Sequence, residues 1–368
     1  MKETRSSETA SSAPQSGLRA LVGSVFTGDR VLWIIIAALA VISVLVVYSS
    51  TAKMAYDAHT ARSTAHFLRQ QVGILILCVP IIVIVHKINC RVYNRLAQPV
   101  YVLSLLLTLA VYFIGATTNG AARWIPVAGF QFQPSEALKV ATILLLARRL
   151  SSCQSKIDRI RIVPSLNPFR WGRPAQRKIW REGTRPILLP VVLSCAVIFP
   201  AHTSSAMLVF LTSLVMMLIG RVRVSELVRL VGGSETAGGR VSTWIDLWTS
   251  SQTEKPIDRL TDTERSMIAI HNGGLLGEGA GQSAMRVEMI HPESDYAYAF
   301  FVEEYGIILA GILLMLYLWI FFRAREIFVR CGTAFPGLLV LGLALMITCQ
   351  ALLHVMVTVN LMPETGQT

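Results

Sequence analysis

The feature that most constrains this chain is a series of apolar runs. Val31 to Tyr48 carries no charge, and seven more runs follow: Gln70–His86, Pro99–Ala116, Ala137–Leu146, Pro186–Pro200, Ser204–Gly220, Tyr296–Phe322 and Phe335–Leu361. A hydrocarbon core of roughly 30 Å takes about 20 apolar residues in a helix. No water is available there for backbone N–H and C=O groups, so each span must satisfy its own. The runs therefore predict an all-α polytopic membrane protein with eight visible apolar spans. Composition agrees. Of the 368 residues, 53% are hydrophobic and 15% charged, against roughly 25% charged in an average soluble domain. This balance excludes a soluble globular enzyme, a disordered chain and a secreted disulfide scaffold.

The net charge of +12 is read as orientation, because Lys and Arg collect in cytoplasmic loops. Arg19 and Arg30 before the first run place the N-terminus inside, and the bases after the second, fourth, sixth and seventh runs then also fall inside. Residues 1–24, rich in Ser, Thr, Ala and Glu, read as a flexible cytoplasmic tail and lack the pattern of a signal peptide. Residues 148–185 hold eleven bases against Asp158 and Glu182, and are expected to lie as a cytoplasmic loop on anionic headgroups. No basic stripe is interleaved with aromatics on a polar face, so nucleic acid is not an expected partner. The six cysteines form no C-x-x-C pair and read as small apolar fillers. Residues 25–368 are read as one transmembrane domain. Counting spans exposes a parity problem. The sixth and seventh runs both end inside, yet the polar stretch between them, read as a large outer loop of about 232–295, has no spanning run. A helix is expected to be lacking near Gly232-Gly233.

Three polar clusters at membrane depth are candidate sites, because ionisable groups there are costly to keep. The first runs from Asn119-Gly120-Ala121-Ala122-Arg123-Trp124 to Gln133-Pro134-Ser135-Glu136 and Lys139. It predicts a helix start with Ser135 as N-cap and Glu136 in the first turn. Glu136 and Lys139, three apart, share one helix face. They form either a local ion pair or, with Arg123, an anion site. The second is the glycine-rich Gly277–Ser283, followed by Asp295 and Glu303-Glu304. Asp295 reads equally as a helix N-cap or as a general base in a half-dry setting. The third comprises Gln350, His354, Asn360 and the tail Leu361–Thr368. No His/Asp/Glu set has zinc-type spacing, so no metal site is expected.

Taken together, Asn119–Trp124, Gln133–Lys139, Gly279–Ser283, Ser294–Glu304 with Gly306, and Asn360–Thr368 resemble the SEDS family of FtsW and RodA. The long basic loop, the polar tail and Glu303-Glu304 resemble its division branch most. The resemblance implies a SEDS-type helical bundle of ten helices. It implies a peptidoglycan glycosyltransferase that polymerises lipid II into glycan strands during septal wall synthesis and releases undecaprenyl pyrophosphate. By motif, Asp295 would deprotonate the acceptor hydroxyl. Arg123 and Lys139 would stabilise the pyrophosphate, Glu136 would orient them, and Trp124 would shape the cavity wall. Gln133, Ser135, Gly281, Ser283 and Thr365, within the matching stretches, are taken with them as substrate-binding. The implied partners are lipid II, a class B penicillin-binding transpeptidase and other divisome membrane proteins, at the septum in the bacterial cytoplasmic membrane. No cofactor is demanded by the residues; a divalent cation such as Mg bridging the phosphates is compatible with the chemistry.

Against the family pattern, a helix near residue 232 and a last helix after Thr368 are expected to be lacking from the sequence as it stands, and His202 stands where an acidic motif is common. No role is assigned to His202. Two other readings stay open. One is a lipid II flippase, which a polar intramembrane cavity would also serve but which needs no base at Asp295. The other is an inactive division scaffold.

Overall fold

The computed structural model describes residues 28–56, 64–114, 116–118, 121–127, 130–154, 180–222, 262–285 and 296–362. The helices are α1 (Arg30–Tyr56), α2 (Thr64–Lys87), α3 (Cys90–Ile114), α4 (Pro134–Cys153), α5 (Arg185–Ile198), α6 (Thr203–Ile219), α7 (Asp262–Gly273), α8 (Ala297–Arg330) and α9 (Ala334–Thr358). A π-helical turn, Trp180–Thr184, leads into α5. Nearly all of every expected apolar run falls within one of these helices. Among the described residues, α1, α2, α3, α8 and α9 contain stretches long and apolar enough to cross a membrane. The all-α polytopic expectation holds.

Several helices run beyond their apolar stretches. Polar turns extend α3 back to Cys90, where Asn89 Oδ1 accepts from Arg91 N at 3.1 Å. Pro80, Pro99 and Pro190 sit inside helices, as membrane helices tolerate. One element was not anticipated. Between α3 and α4 lies a three-stranded antiparallel patch, β1 (Ala116–Thr118), β2 (Ala121–Val127) and β3 (Phe130–Phe132), in the order β1-β2-β3. Its register pairs Thr118 with Ala121 and Ile125 with Phe132. β1 and β2 flank Asn119-Gly120, a dipeptide favoured in two-residue hairpin connections.

The core forms around α4, whose Leu138, Ile143, Leu146 and Leu150 are all buried. Helices α3, α5, α6 and α9 pack against it. Lipid tails are as apolar as Leu, so burial alone does not drive helices together in a bilayer. Close packing and interhelical hydrogen bonds do. Both occur here. Tyr101 on α3 donates to the Pro190 carbonyl on α5 at 2.8 Å. Ser194 Oγ lies 2.7 Å from Thr142 Oγ1 and donates to the Tyr101 hydroxyl at 3.2 Å. Hydroxyls from three helices thus meet in one buried network. In contrast, α1 and α2 turn large apolar side chains outward, such as Ile34 and Ile76, as lipid-facing helices do.

The two ends of the bundle differ. At one end Asp29 Oδ1 accepts from the N–H groups of Val31 and Leu32 at the start of α1. Its Oδ2 lies 2.7 Å from Arg323 Nε on α8. The end of α4 and the start of α5 lie together, where Cys153 Sγ donates to the Glu182 carbonyl. At the other end are the strands, the start of α4, α7 and the end of α9. The 12-residue α7 is about 18 Å long, too short to span. It lies within the stretch expected to be outer loop and packs on α8. The stretch near residue 232, where a helix is expected to be lacking, and most of the basic loop fall outside the described residues.

Candidate active site

Pro134 sets the start of α4. Proline fits the first helical position, where its missing N–H costs nothing, and it pushes the preceding residue into extended backbone. Gln133 is accordingly the N-cap, at φ −102° and ψ 103°, and no side chain caps the helix. The expectation that Ser135 caps α4 is therefore corrected. Ser135 sits one residue inside the helix, 6% exposed. Glu136 is in the first turn as expected.

Lys139 lies one turn further in and is 1% exposed. Its Nζ is 2.7 Å from Glu136 Oε1 and donates to Gln350 Oε1 on α9 at 3.3 Å. Glu136 itself is half-exposed. The first and third sequence clusters thus meet on one ammonium. A buried ammonium without partners would be costly. Here one carboxylate and one amide hold it, and the Glu136 side chain remains 47% exposed. Trp124, on β2 opposite Ala116, is half-buried, and β2 touches α4. Arg123 is the neighbouring β2 residue, beside an irregularity in the β1–β2 register, and its side chain lies outside the described residues. Asp295 and Thr365 also lie outside them. Tyr296 is the N-cap of α8.

The second cluster is built on a broken helix. Gly306 interrupts α8 at φ 80°, ψ 166°, a left-handed region that glycine adopts without strain. A continuous helix would bond Ile307 N to Glu303 O and Ile308 N to Glu304 O. The break severs both, and the segment after α7 replaces them. Glu278 N donates to Glu303 O at 2.9 Å and Gly279 N to Glu304 O at 3.0 Å. Ile307 N donates to Gly274 O at 3.0 Å and Ile308 N to Leu275 O at 3.4 Å. A Cβ on Gly306 would overlap the Leu275 carbonyl, and one on Gly277 the Glu304 carbonyl. The two backbones touch with no side chain between them.

Glu303 and Glu304 are both buried here, at 0% and 1% exposure. The Glu303 carboxylate accepts from the Ser283 hydroxyl, and Asn272 Nδ2 donates to it at 3.5 Å. Gly281 lies between, at φ 80°. Asn272 was not singled out from sequence; the Gly273-Gly274 pair directly after it is the signal that could have found it. The two clusters are joined through α9, where the buried Ser266 of α7 donates to the Thr358 carbonyl at 2.9 Å. Gln350 and Thr358 are eight residues apart, about 12 Å along the helix. Among the described residues, no three or more His, Cys, Asp or Glu side chains gather as metal ligands. An apolar cleft of about 350 Å³ between α5 and α6, lined by Leu188, Cys195, Phe199 and Phe210, includes no residue of either cluster.

Comparison with known proteins gives one consistent answer. A family described as cell cycle protein, comprising FtsW, RodA and SpoVE, matches residues 29–368. The chain is 28% identical over 346 residues to the stage V sporulation protein E of Bacillus subtilis, covering 92% of this chain and 90% of that one. It is 24% identical over 319 residues to the probable peptidoglycan glycosyltransferase FtsW of Aliivibrio salmonicida, covering 82% and 74%. Among solved structures, the rod shape determining protein RodA of Thermus thermophilus superposes with a TM-score of 0.56 at 21% identity, over 91% of this chain and 87% of that one. A chain of a peptidoglycan synthase complex, described as coordinating polymerization and crosslinking, superposes with a TM-score of 0.62 at 19% identity, over 91% and 89%.

Proposed function

The chain belongs to the FtsW, RodA and SpoVE family of cell cycle proteins, and from that premise we propose that it is a peptidoglycan glycosyltransferase polymerising lipid II. The observation that carries this reading is Lys139, a fully buried cation in the second turn of α4 held by Glu136 and Gln350.

In the proposed reaction the acceptor sugar hydroxyl attacks the anomeric carbon of the lipid-linked donor. Asp295 takes the hydroxyl proton as the new glycosidic bond forms. The bond from the anomeric carbon to the pyrophosphate breaks, and undecaprenyl pyrophosphate leaves as an anion. Lys139 and Arg123 stabilise that charge, which a low-dielectric site makes more effective than in water. Glu136 fixes the position of the Lys139 ammonium, Trp124 walls the site, and Gln133, Ser135, Gly281, Ser283 and Thr365 contact the substrate. A divalent cation such as Mg would arrive with the substrate phosphates, and no step depends on one.

The proposed setting is the cytoplasmic membrane at the division septum, with the N-terminus in the cytoplasm. The clustering of Arg95, Arg149, Arg185 and Arg323 towards the Asp29 end supports that orientation. Proposed partners are a class B penicillin-binding transpeptidase and other divisome membrane proteins. The test is polymerisation of labelled lipid II by the purified protein with its transpeptidase. Asp295→Asn should abolish polymer while the protein still inserts. Wild-type polymer from Asp295→Asn would remove Asp295 as the base. Lipid II translocation without polymer would favour the flippase reading instead.

A further inference from the structure

The break at Gly306 places a non-helical peptide against a membrane helix, where irregular backbone survives only if fully satisfied. Four backbone hydrogen bonds satisfy it, and they depend on register. If the Gly273–Ser283 segment slides by one residue, all four are lost together. Something must fix that register, and the glycines have no side chains with which to do it. A side-chain contact between the two elements is made at Glu303. Its carboxylate is fully buried, one turn before the break, and takes the Ser283 hydroxyl from the far end of the segment and the amide of Asn272, the α7 residue just before it.

We propose that Glu303 is a positioning residue. Through Ser283 and Asn272 it locks the Gly273–Ser283 segment into the gap in α8, so that segment and helix move as one body. For the reaction this rests on the glycosyltransferase reading: the segment leads in sequence towards Asp295, and its register sets where the outer connection begins. A carboxylate serves because it has acceptor oxygens for both donors at once. A Gln keeps one acceptor oxygen for Ser283, and an Ala keeps none.

The test is hydrogen–deuterium exchange on the full chain in a bilayer or micelle, following peptides that cover residues 274–285 and 303–310. Glu303→Ala should raise exchange in both peptides together by about tenfold or more, as a cooperative local opening does. Ser283→Ala should do the same in milder form, and keeps the proposal testable if Glu303→Ala does not fold. Glu303→Gln should restore part of the protection, through the one acceptor oxygen it keeps for Ser283. Unchanged protection in Glu303→Ala or in Ser283→Ala would overturn the lock. So would equal loss in Glu303→Gln, because charge and not acceptance would then be at work. This readout needs no activity, so it stands even if the chain makes no glycan. On lipid II, Glu303→Ala should lower kcat about tenfold with KM little changed, and Glu303→Gln should recover part of it. Wild-type turnover from a Glu303→Ala protein whose segment exchanges freely would show that the segment positions nothing for the reaction.

Discussion

Lys139 on α4 donates to Gln350 on α9 across 211 residues of chain. Neither residue alone marks a site, since a lysine three residues after a glutamate is an ordinary helix-surface pair. The contact turns that pair inward and commits a cation to the interior of the bundle.

Lys139→Met should keep the apolar stem, the fold and membrane insertion, yet lower lipid II turnover by about a hundredfold or more, as loss of a transition-state donor does. Glu136→Gln should cost less, because Glu136 is 47% exposed and water competes for its partner. Turnover assays with labelled lipid II compare the two. A Lys139→Met protein as active as wild type would end its assignment to the leaving group.

Gly306 and Gly311 lie one and a half turns apart in α8, but their substitutions should diverge. Gly306→Ala puts a Cβ into the Leu275 carbonyl at a positive φ, so it should lower stability by about 1–3 kcal/mol. A Cβ on Gly311 would meet nothing within 4 Å. Gly311→Ala should be neutral or stabilising by up to about 1 kcal/mol. Thermal unfolding in detergent resolves the pair, and equal midpoints for both variants would contradict the interlock at the break.

Gly342 lets α9 approach α4 and α6. A Cβ there would meet the Met216 thioether, 2.6 Å from its sulfur, and the Ile143 side chain at 2.9 Å. Methionine is flexible and can give way to one methyl. Gly342→Ala should be tolerated, whereas Gly342→Val should cost about 1–3 kcal/mol through overpacking. Expression yield and monodispersity of the two variants are the measurement.

The Asp29–Arg323 contact should have an acid limit. Burial alone would raise the Asp29 carboxyl. The Arg323 hydrogen bond and the Leu32 and Val31 N–H groups outweigh it and hold the group below its ordinary 3.8. A carboxyl with a depressed folded value stabilises fully above its unfolded pKa and loses that contribution as pH falls through the folded one. The contact should therefore hold unchanged through neutral pH and fail only below 3.8. Asp29→Asn still caps α1 but removes the ion pair at every pH. Unfolding midpoints for wild type and Asp29→Asn should differ at neutral pH and converge in acid; parallel curves would exclude the pairing.

Much of this was legible in the chain itself. Apolar runs impose helices in a bilayer whatever their neighbours, so each of the eight runs formed a helix. The motif residues Glu136 and Lys139 shared a helix face because spacing alone decides that. Helix starts were less legible. Ser135 is a good capping residue, but Pro134 before it fits the first helical position better, and the cap passed to Gln133. The strand patch was missed although Asn119-Gly120 announced a hairpin, because it lies in a connection too short to be noticed by periodicity.

By itself, then, the sequence determined the solvent and the apolar helices: apolar length selects the membrane, and local backbone satisfaction selects helix. Tertiary structure alone decided which polar residues meet. Glu303 finds Ser283 20 residues away, and Lys139 finds Gln350 211 residues away, through packing between separate segments. Spacing along one strand of sequence contains no distance between two. The break at Gly306 belongs to the same class. A glycine in a helix is permissive in sequence, and only the partner backbone lying against it makes the break stable.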